Sequence, residues 1–581
     1  MTRMDPVEVD EGDTEIAPGR RLIRADDAGQ GWFGRMGYRL QRFMWRTPIH
    51  QVRLRGKMPL RLVAVPKDPV AGDKARGEAL LAGRLLWRDE ERPVDALDFA
   101  DPRLPPDLVD HLQSFAWLRD LAAATTREHG ARSAEAVMRR WLAVHGEQVS
   151  EPAWRADLTG RRTLLWLAYA PYILSARDPV YRSAVLRALA RGARHLERTS
   201  DRAPLGVGRI AAWAGVIASA LVLQGGPARL ASGEAGLARA LRLALHDDGG
   251  LISRAPIEQV DLVETLGQLR AVYLAARRDV PDWLGEALAG GASALLAATL
   301  GDEALSSWQG GNMGDRRRLT GALDAAGGEV RPLRRARGWG YQHLEARTTV
   351  LVFDAAPPPP GRALAGGAAS TLAFELSDGP NRLIVNCGGE GAARGALPAG
   401  LAFALRTTAA CSTLTLGDRN STAIHEDGSL GKGVVEVEAS RDDTGGAPRA
   451  EASHDGYARR FGLIHERRLA LTADGRQLSG EDRLYPAAKR RRGKAGAIPV
   501  AVRFHLHPEV EAITTADGQG ALLRLQGGGV WQFRCRGGRL EIEDSVWIDG
   551  AAQAKPTLML AIASETPADG MTISWELTRA R

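Results

Sequence analysis

The chain has 581 residues, 44% apolar and 25% charged, with Lys+Arg at 77 against Asp+Glu at 70 for a net charge of +7. That length calls for two large domains or three smaller ones, and the composition excludes general disorder. The charge excess is too dilute for a nucleic-acid-binding stripe, and no run of 18 or more uninterrupted apolar residues is present to cross a bilayer.

Only seven of the basic residues are Lys. The positive charge therefore sits on guanidinium groups, which grip carboxylates through paired hydrogen bonds and suit an acidic ligand. Coding bias gives the same composition. The three cysteines, Cys387, Cys411 and Cys535, are odd in number and far apart, so no disulfide framework is expected.

Residues 1–30 are polar and acid-rich, which predicts a loose N-terminus. Without an apolar segment they do not read as a secretory signal, and the sequence-based expectation is the cytoplasm. Residues 32–50 alternate aromatics and Met with Arg. That pattern fits either a helix capping the rest of the fold or peripheral contact with a membrane surface.

From Asp107 to about Leu300 apolar residues recur at spacings of three and four. The spacing predicts helices over Asp107–Ala124, Ser133–Val144, Arg162–Leu174, Tyr181–Leu196, Ile210–Leu223, Gly236–His246, Val260–Ala275 and Leu284–Leu300. Breakers such as Gly225-Gly226-Pro227 make the links short, so neighbours run antiparallel. A bundle, a solenoid and a closed α/α toroid all fit that order, and the lack of a fixed-period repeat disfavours the solenoid.

After Arg331–Gly340 the pattern changes to short β-type runs among Gly- and Asp-rich turns, including Val350–Phe353, Leu372–Leu376, Val500–Leu506 and Leu540–Trp547. These predict an antiparallel β-sandwich. The resulting expectation is an α+β multidomain chain: a flexible 1–30, a helical domain over 31–330 and a β-sandwich over 331–581. The basic run Lys489–Lys494 reads as a solvated hairpin loop or a polyanion patch.

No phosphate loop, CxxC pair or HExxH helix is present. Four other stretches hold reactive groups. Asp248–Pro256 presents Ser253 and Arg254 ahead of a Pro-started helix; Arg254 is a carboxylate-binding candidate and Ser253 a capping one. Trp308–Gly314 offers Trp308 and Asn312 as a sugar platform, the ring stacking and the amide hydrogen-bonding. Gly340–Glu345 sets Tyr341 at the domain junction, where clefts form. Ala452–Phe461 gathers His454, Tyr457 and Arg459, the types needed to move a proton beside a carboxylate. His505 and His507 alternate along one strand, hence on one face, and invite a metal or ligand role.

The order of parts resembles the bacterial heparinase II/III family, on Gly340–Leu344, Leu372–Gly379, Ile384–Gly388, Ser412-Thr413-Leu414, His454–Tyr457 and Arg503–Pro508. The resemblance runs from about residue 35 to the C-terminus. It implies an N-terminal α/α toroid followed by a C-terminal antiparallel β-sandwich, and β-elimination on a uronic-acid-containing polysaccharide of heparin, heparan or alginate type. In that chemistry a base takes the C5 proton, a polar group masks the carboxylate, and a Tyr or His protonates the leaving oxygen. It also implies the cell envelope.

The chain departs from the family pattern at three places. Gly208–Gln224 has no Asn-His pair, Pro256-Ile257-Glu258 stands where the family has a Tyr, and Cys411 stands where the family has His. No cofactor is required, but some relatives hold a structural zinc, for which Cys411, Asp418 and His454 are the candidate ligands. The expectation is a groove between the domains with His454, Tyr341 and Tyr457 as proton-transfer groups and Arg254, Trp308, Asn312 and Arg459 as substrate contacts. The alternative is a protein on the same scaffold that binds an acidic glycan without cleaving it. Glycoside hydrolysis comes last, for want of a carboxylate pair facing one bond.

Overall fold

A computed structural model describes residues 13–17, 20–24, 48–54, 56, 61–88, 90–223, 227–361, 363–364, 366–488 and 497–580. Most of the stretch 32–50 and all of Lys489–Lys494 lie outside the described residues. The principal helices are α1 (Pro48–Arg53), α2 (Lys74–Leu81), α3 (Pro106–Ser114), α4 (Trp117–Ala124), α5 (Arg127–His145), α6 (Ala156–Ala168), α7 (Ala170–Ile173), α8 (Pro179–Thr199), α9 (Val207–Val222), α10 (Pro227–Ala244), α11 (Pro256–Ala275), α12 (Asp282–Ala297) and α13 (Arg316–Ala326).

Local chemistry sets their ends. Asp178 accepts hydrogen bonds from the Val180 and Tyr181 amides and Pro179 follows at the first helical position; Pro256 opens α11 in the same way. The helix expected over Asp107–Ala124 is two helices, because Phe115 turns left-handed at φ 66°.

The helices form two rows. Alternate members α6, α9, α11 and α13 pack side by side, and α8, α10 and α12 cover them from outside. α9 is apolar almost all round and its residues Ile210–Ala220 are buried, as befits an inner helix. α8 keeps one apolar face, including Tyr181, Val185, Leu189 and Leu196, turned inward.

Two antiparallel sheets follow. One runs edge to edge through Asp13–Ala17, Arg20–Arg24, Glu436–Asp442, Arg449–His454, Leu463–Leu471, Gln477–Pro486, Met571–Arg579, Val530–Arg536, Gly520–Leu525 and Val510–Thr514. The other runs through Arg539–Ile548, Ala554–Thr566, Ile498–Leu506, Asn381–Val385, Phe374–Asp378, Thr349–Asp354 and Tyr341–Ala346, with Leu414–Leu416 paired beside Ile498–Leu506. They meet face to face, with Phe374 stacked on Trp575 at 5.4 Å and Phe504 against Phe533 at 5.1 Å.

Within the segment expected to be loose, Asp13–Ala17 and Arg20–Arg24 are strands. Arg20–Arg24 pairs with Glu436–Asp442, Ile23 is buried, and Arg20 meets Glu451 at 2.8 Å, so this strand is held by charge and burial from residues more than 400 positions away.

The helical core continues into the sheet half. Tyr341, Val350, Val352, Ala373 and Cys411 pack with the helices, which is why Thr349–Asp354 is buried on both faces. Buried ion pairs tie the seam. Arg382 holds Asp302 with two hydrogen bonds of 3.0 and 3.1 Å, and Arg254 reaches Asp354 at 2.5 Å. Among the described residues no helix is long and apolar enough to cross a membrane.

Candidate functional site

The structure separates the residues that the sequence grouped into one groove. Arg254, Trp308, Asn312 and Tyr341 are buried at the seam. Arg254 donates to the carbonyls of Trp339 (3.0 Å) and Pro357 (2.5 Å) as well as to Asp354. The Tyr341 hydroxyl donates to the Arg254 carbonyl at 2.6 Å, its ring stacks on Trp308 at 5.2 Å, and burial pushes its phenol well above the ordinary range. Asn312 donates to the Gly389 carbonyl and accepts from the Gly314 amide. These side chains are spent on holding the two halves together.

His454 and Tyr457 lie in the other core, between the sheets. The Gly456 amide donates to His454 Nδ1 at 3.0 Å, so the proton of the neutral ring sits on Nε2, which faces His465 Nδ1 at 3.3 Å. His465 Nε2 then donates to Asp482 at 2.8 Å, and Asp482 also holds Arg467 and the Trp575 indole. Burial holds His454 far below its ordinary value, and it stays neutral. Tyr457 donates to the Leu414 carbonyl at 2.9 Å. Arg459 alone of this cluster is exposed.

The candidate metal ligands Cys411, Asp418 and His454 are likewise not brought together. The Cys411 thiol faces the Thr407 carbonyl at 3.6 Å within the helical core, Asp418 sits in a left-handed turn after Leu414–Leu416, and His454 is engaged with His465. Among the described residues no group of three His, Cys, Asp or Glu side chains is disposed to hold a metal ion. His505 and His507 do not act together either. His505 bonds Ser545 Oγ at 2.7 Å and the Ala409 carbonyl at 3.0 Å, whereas the His507 ring packs edge-on against Trp547 at 4.6 Å.

A different polar site runs through the helical half. On α11 the residues Glu258, Asp261, Glu264 and Gln268 fall at spacings of three and four, hence on one face. Facing arginines come from three other helices. Arg161 of α6 meets Asp261 at 2.7 Å, Arg318 of α13 bridges Asp261 and Glu264, and Arg119 of α4 spans Glu264 (2.7 Å) and Asp68 (2.6 Å). Burial alone raises Asp261, but Arg161 and Arg318 outweigh it and hold its carboxyl well below the usual range.

The outer end of this ladder opens at the seam. There Arg155 meets Asp110 and Asp157, and Arg394 crosses from the loop after Asn381–Val385 to Asp110 of α3. Arg161 keeps 31% of its side chain exposed and Arg394 55%. Glu258 stands half-buried on the first turn of α11. Among the described residues it forms no ion pair, although Ser253, Asp261, Arg161 and Arg394 all act on it. Burial, reinforced by Asp261, lifts its carboxyl to about 7.

Sequence reasoning met Glu258 only as a departure from a family pattern and missed the rest of the ladder. One signal was available: three acids and an amide share one face of a largely buried helix and cannot all be solvated there, so they require internal partners.

Comparisons with known proteins agree with this architecture. The model of the family described as heparinase II/III-like, C-terminal, matches residues 328–576. FtsZ-localized protein C of Caulobacter vibrioides (strain NA1000 / CB15N) is 30% identical over 577 residues, 96% of each chain. A crystal structure of heparinase III superposes with a TM-score of 0.64 at 13% identity, covering 94% of this chain and 91% of the other. Heparan sulfate lyase HepC from Pedobacter heparinus gives 0.56 at 14% identity, covering 87% and 82%. The chondroitin AC lyase of Streptomyces coelicolor A3 with chondroitin sulphate gives 0.51 at 11% identity, covering 94% and 83%. At such identities the solved structures speak for the fold alone, while the family match and the full-length relative carry the assignment: this chain belongs to the heparinase II/III-like family.

Proposed function

We propose that this chain is a non-catalytic member of the lyase fold that gathers with FtsZ at the division site and holds an acidic saccharide at its helical mouth. One observation carries the non-catalytic part: Tyr341, His454 and Tyr457 are all buried and committed to internal hydrogen bonds. A β-elimination needs its base and acid at the sugar, within hydrogen-bond reach. The division-site part rests on likeness over almost the full length to a protein named for its localisation with FtsZ.

In this reading the two helical rows are an α/α toroid set against a β-sandwich. The partly exposed Arg155, Arg161 and Arg394 offer bidentate donors to a carboxylated sugar of heparan or alginate type. The chain works in the cytoplasm, and the aromatic and Arg pattern of residues 32–50 gives peripheral membrane contact.

Two measurements test it. A fluorescent fusion in the native cell should follow the FtsZ ring, and the purified chain should bind uronate oligosaccharides without producing the ultraviolet absorbance of an unsaturated sugar. A diffuse fusion, or saccharide binding no stronger than to a neutral glucan, sinks the proposal. Glu258 favours one competing reading. A carboxyl near 7 beside arginines is suited to take the C5 proton itself. Absorbance that appears with the wild type and vanishes in Glu258→Gln would establish that reading instead.

A further inference from the structure

A cavity of about 330 Å³ lies at the seam, within the range of about 300–1,000 Å³ usual for small-molecule sites. From the helical half come Asp302, in the loop after α12, and Arg316, the first residue of α13. From the sheet half come His507, Glu509, Trp547, Asp549 and Lys555. None of Arg155, Arg161 and Arg394 lines it.

The carboxylates of this cavity are spent. Asp302 accepts two hydrogen bonds from Arg382, one from Arg316 at 3.2 Å and one from the Ala304 amide. Asp549 accepts from the Ala551 and Gln553 amides at 2.9 Å each and faces Lys555 at 3.1 Å. Glu509 keeps 61% of its side chain exposed. Among the described residues no group of three His, Cys, Asp or Glu side chains is disposed to hold a metal ion, so these acids do not make a cation site.

The donors are not spent. Trp547 is buried, and its indole Nε1–H has no acceptor among the described residues. A buried N–H without an acceptor is costly, so it calls for a partner. The Glu509 amide donates to His507 Nδ1 at 3.4 Å, and burial lowers that imidazole to about 4. Neutral His507 therefore carries its proton on Nε2. The two rings stand 4.6 Å apart, so both N–H donors belong to one wall. Arg316 and Lys555 each meet a single carboxylate among the described residues and stay about half exposed. Arg382 is not part of this set, because Asp302, the Leu305 carbonyl and Glu375 surround its fork.

We propose that this cavity is a separate ligand site for a small oxyanion, a phosphate or a short carboxylate. Two neutral N–H donors and two cations offer hydrogen bonds that only an acceptor-rich ligand can take. A neutral sugar would need acceptors for its hydroxyl protons, and the carboxylates here are already engaged. The Arg316 guanidinium can grip an oxyanion through two parallel bonds, and Lys555 supplies a second charge. Because the walls come from both halves, an occupied site also ties the seam. The proposal goes beyond the saccharide reading and does not depend on it.

The experiment is titration calorimetry of the full chain near neutral pH and at constant ionic strength, with inorganic phosphate, with glutarate and with chloride as the control. At least one of the two probes should saturate one site per chain. Phosphate alone assigns a phosphate-bearing ligand, and glutarate alone assigns a carboxylate. Arg316→Gln and Lys555→Gln change half-exposed residues, and each should weaken binding about tenfold, the loss of one charge-assisted hydrogen bond. Arg524→Gln, on the first sheet, controls for net charge and should bind as the wild type does. Neither probe binding above chloride overturns the proposal, as does binding that Arg316→Gln or Lys555→Gln leaves unchanged.

Trp547→Phe supplies a sharper readout. It keeps a ring against His507 and removes the unpartnered N–H. Binding should weaken about two- to tenfold, the loss of one neutral hydrogen bond. The ligand-free melting temperature should not report a lost hydrogen bond, since none is made there. Full binding by a folded Trp547→Phe chain places the anion elsewhere and overturns the site.

Discussion

Two clusters in this molecule are built from much the same side chains and meet opposite fates. Between the sheets, His454, His465, Arg467 and Asp482 form a closed chain in which every member is buried and partnered. In the helical half, the arginine and carboxylate ladder has the same chemistry, but one end keeps partly exposed arginines, and Glu258 there forms no ion pair among the described residues. Residue type therefore does not separate a structural network from a site. Solvent access and uncompensated charge do, because a fully paired buried network has nothing left to offer a ligand.

The largest effect tests the closed cluster. Asp482 accepts from Arg467 (2.8 and 3.0 Å), His465 (2.8 Å) and Trp575 (2.9 Å). Asp482→Ala leaves the Arg467 guanidinium buried without its counter-ion, and removing one partner of such a pair costs about 3–5 kcal/mol. Chemical denaturation should show that loss, while any saccharide affinity measured on the folded fraction stays unchanged. The pH dependence has a definite sign. Burial raises Asp482, but Arg467 and His465 outweigh it and hold its carboxyl well below the usual range. Its stabilisation is complete above the unfolded value near ~4 and is lost only as pH falls through the lower folded value. Stability down to strongly acidic pH is expected of the wild type, and the variant's deficit should shrink there.

The architecture was legible where it depends on periodicity. The switch from a period of three to four to short β-type runs near Arg331–Gly340 marks the first strand after the helical half, at Tyr341, and the inner helix α9 shows in the apolar spacing over Ile210–Leu223. The strand Arg20–Arg24 was not legible, because its pairing partner lies at Glu436–Asp442 and nothing local fixes it. The site failed for a related reason. His454, Tyr457 and Arg459 are near in sequence, but His454 ends a strand whose Ala450 and Ala452 also point into the core, and Tyr457 begins the turn beyond it. The ladder draws Asp68, Arg119, Arg161 and Arg318 from segments far apart. Only the stripe on α11 was written in one place.

A smaller effect probes the seam, which resembles the closed cluster. Tyr341→Phe removes the donor to the Arg254 carbonyl and keeps the stacked ring. A lost buried hydrogen bond of this kind costs about 1–2 kcal/mol. Thermal or chemical denaturation should register that change with no change in saccharide binding. Weaker binding at equal folded fraction would mean that Tyr341 reaches the ligand, and the division between closed and open clusters would be drawn in the wrong place.

The smallest effect lies at the open end. Arg394 is more than half exposed, so its pairing with Asp110 is worth at most about 1 kcal/mol and is screened by salt. Arg394→Ala should move the melting temperature by no more than a few degrees, and the difference should vanish at high ionic strength. Its effect on titration is more telling. Arg394 is one of the cations that lower Glu258 against burial. Without it Glu258 should ionise at higher pH, so the window in which stability falls with rising pH should move upward. A solvated carboxyl with no tie to the sheet-half loop would titrate unchanged, and Arg394 would then be a surface charge with no part in the mouth.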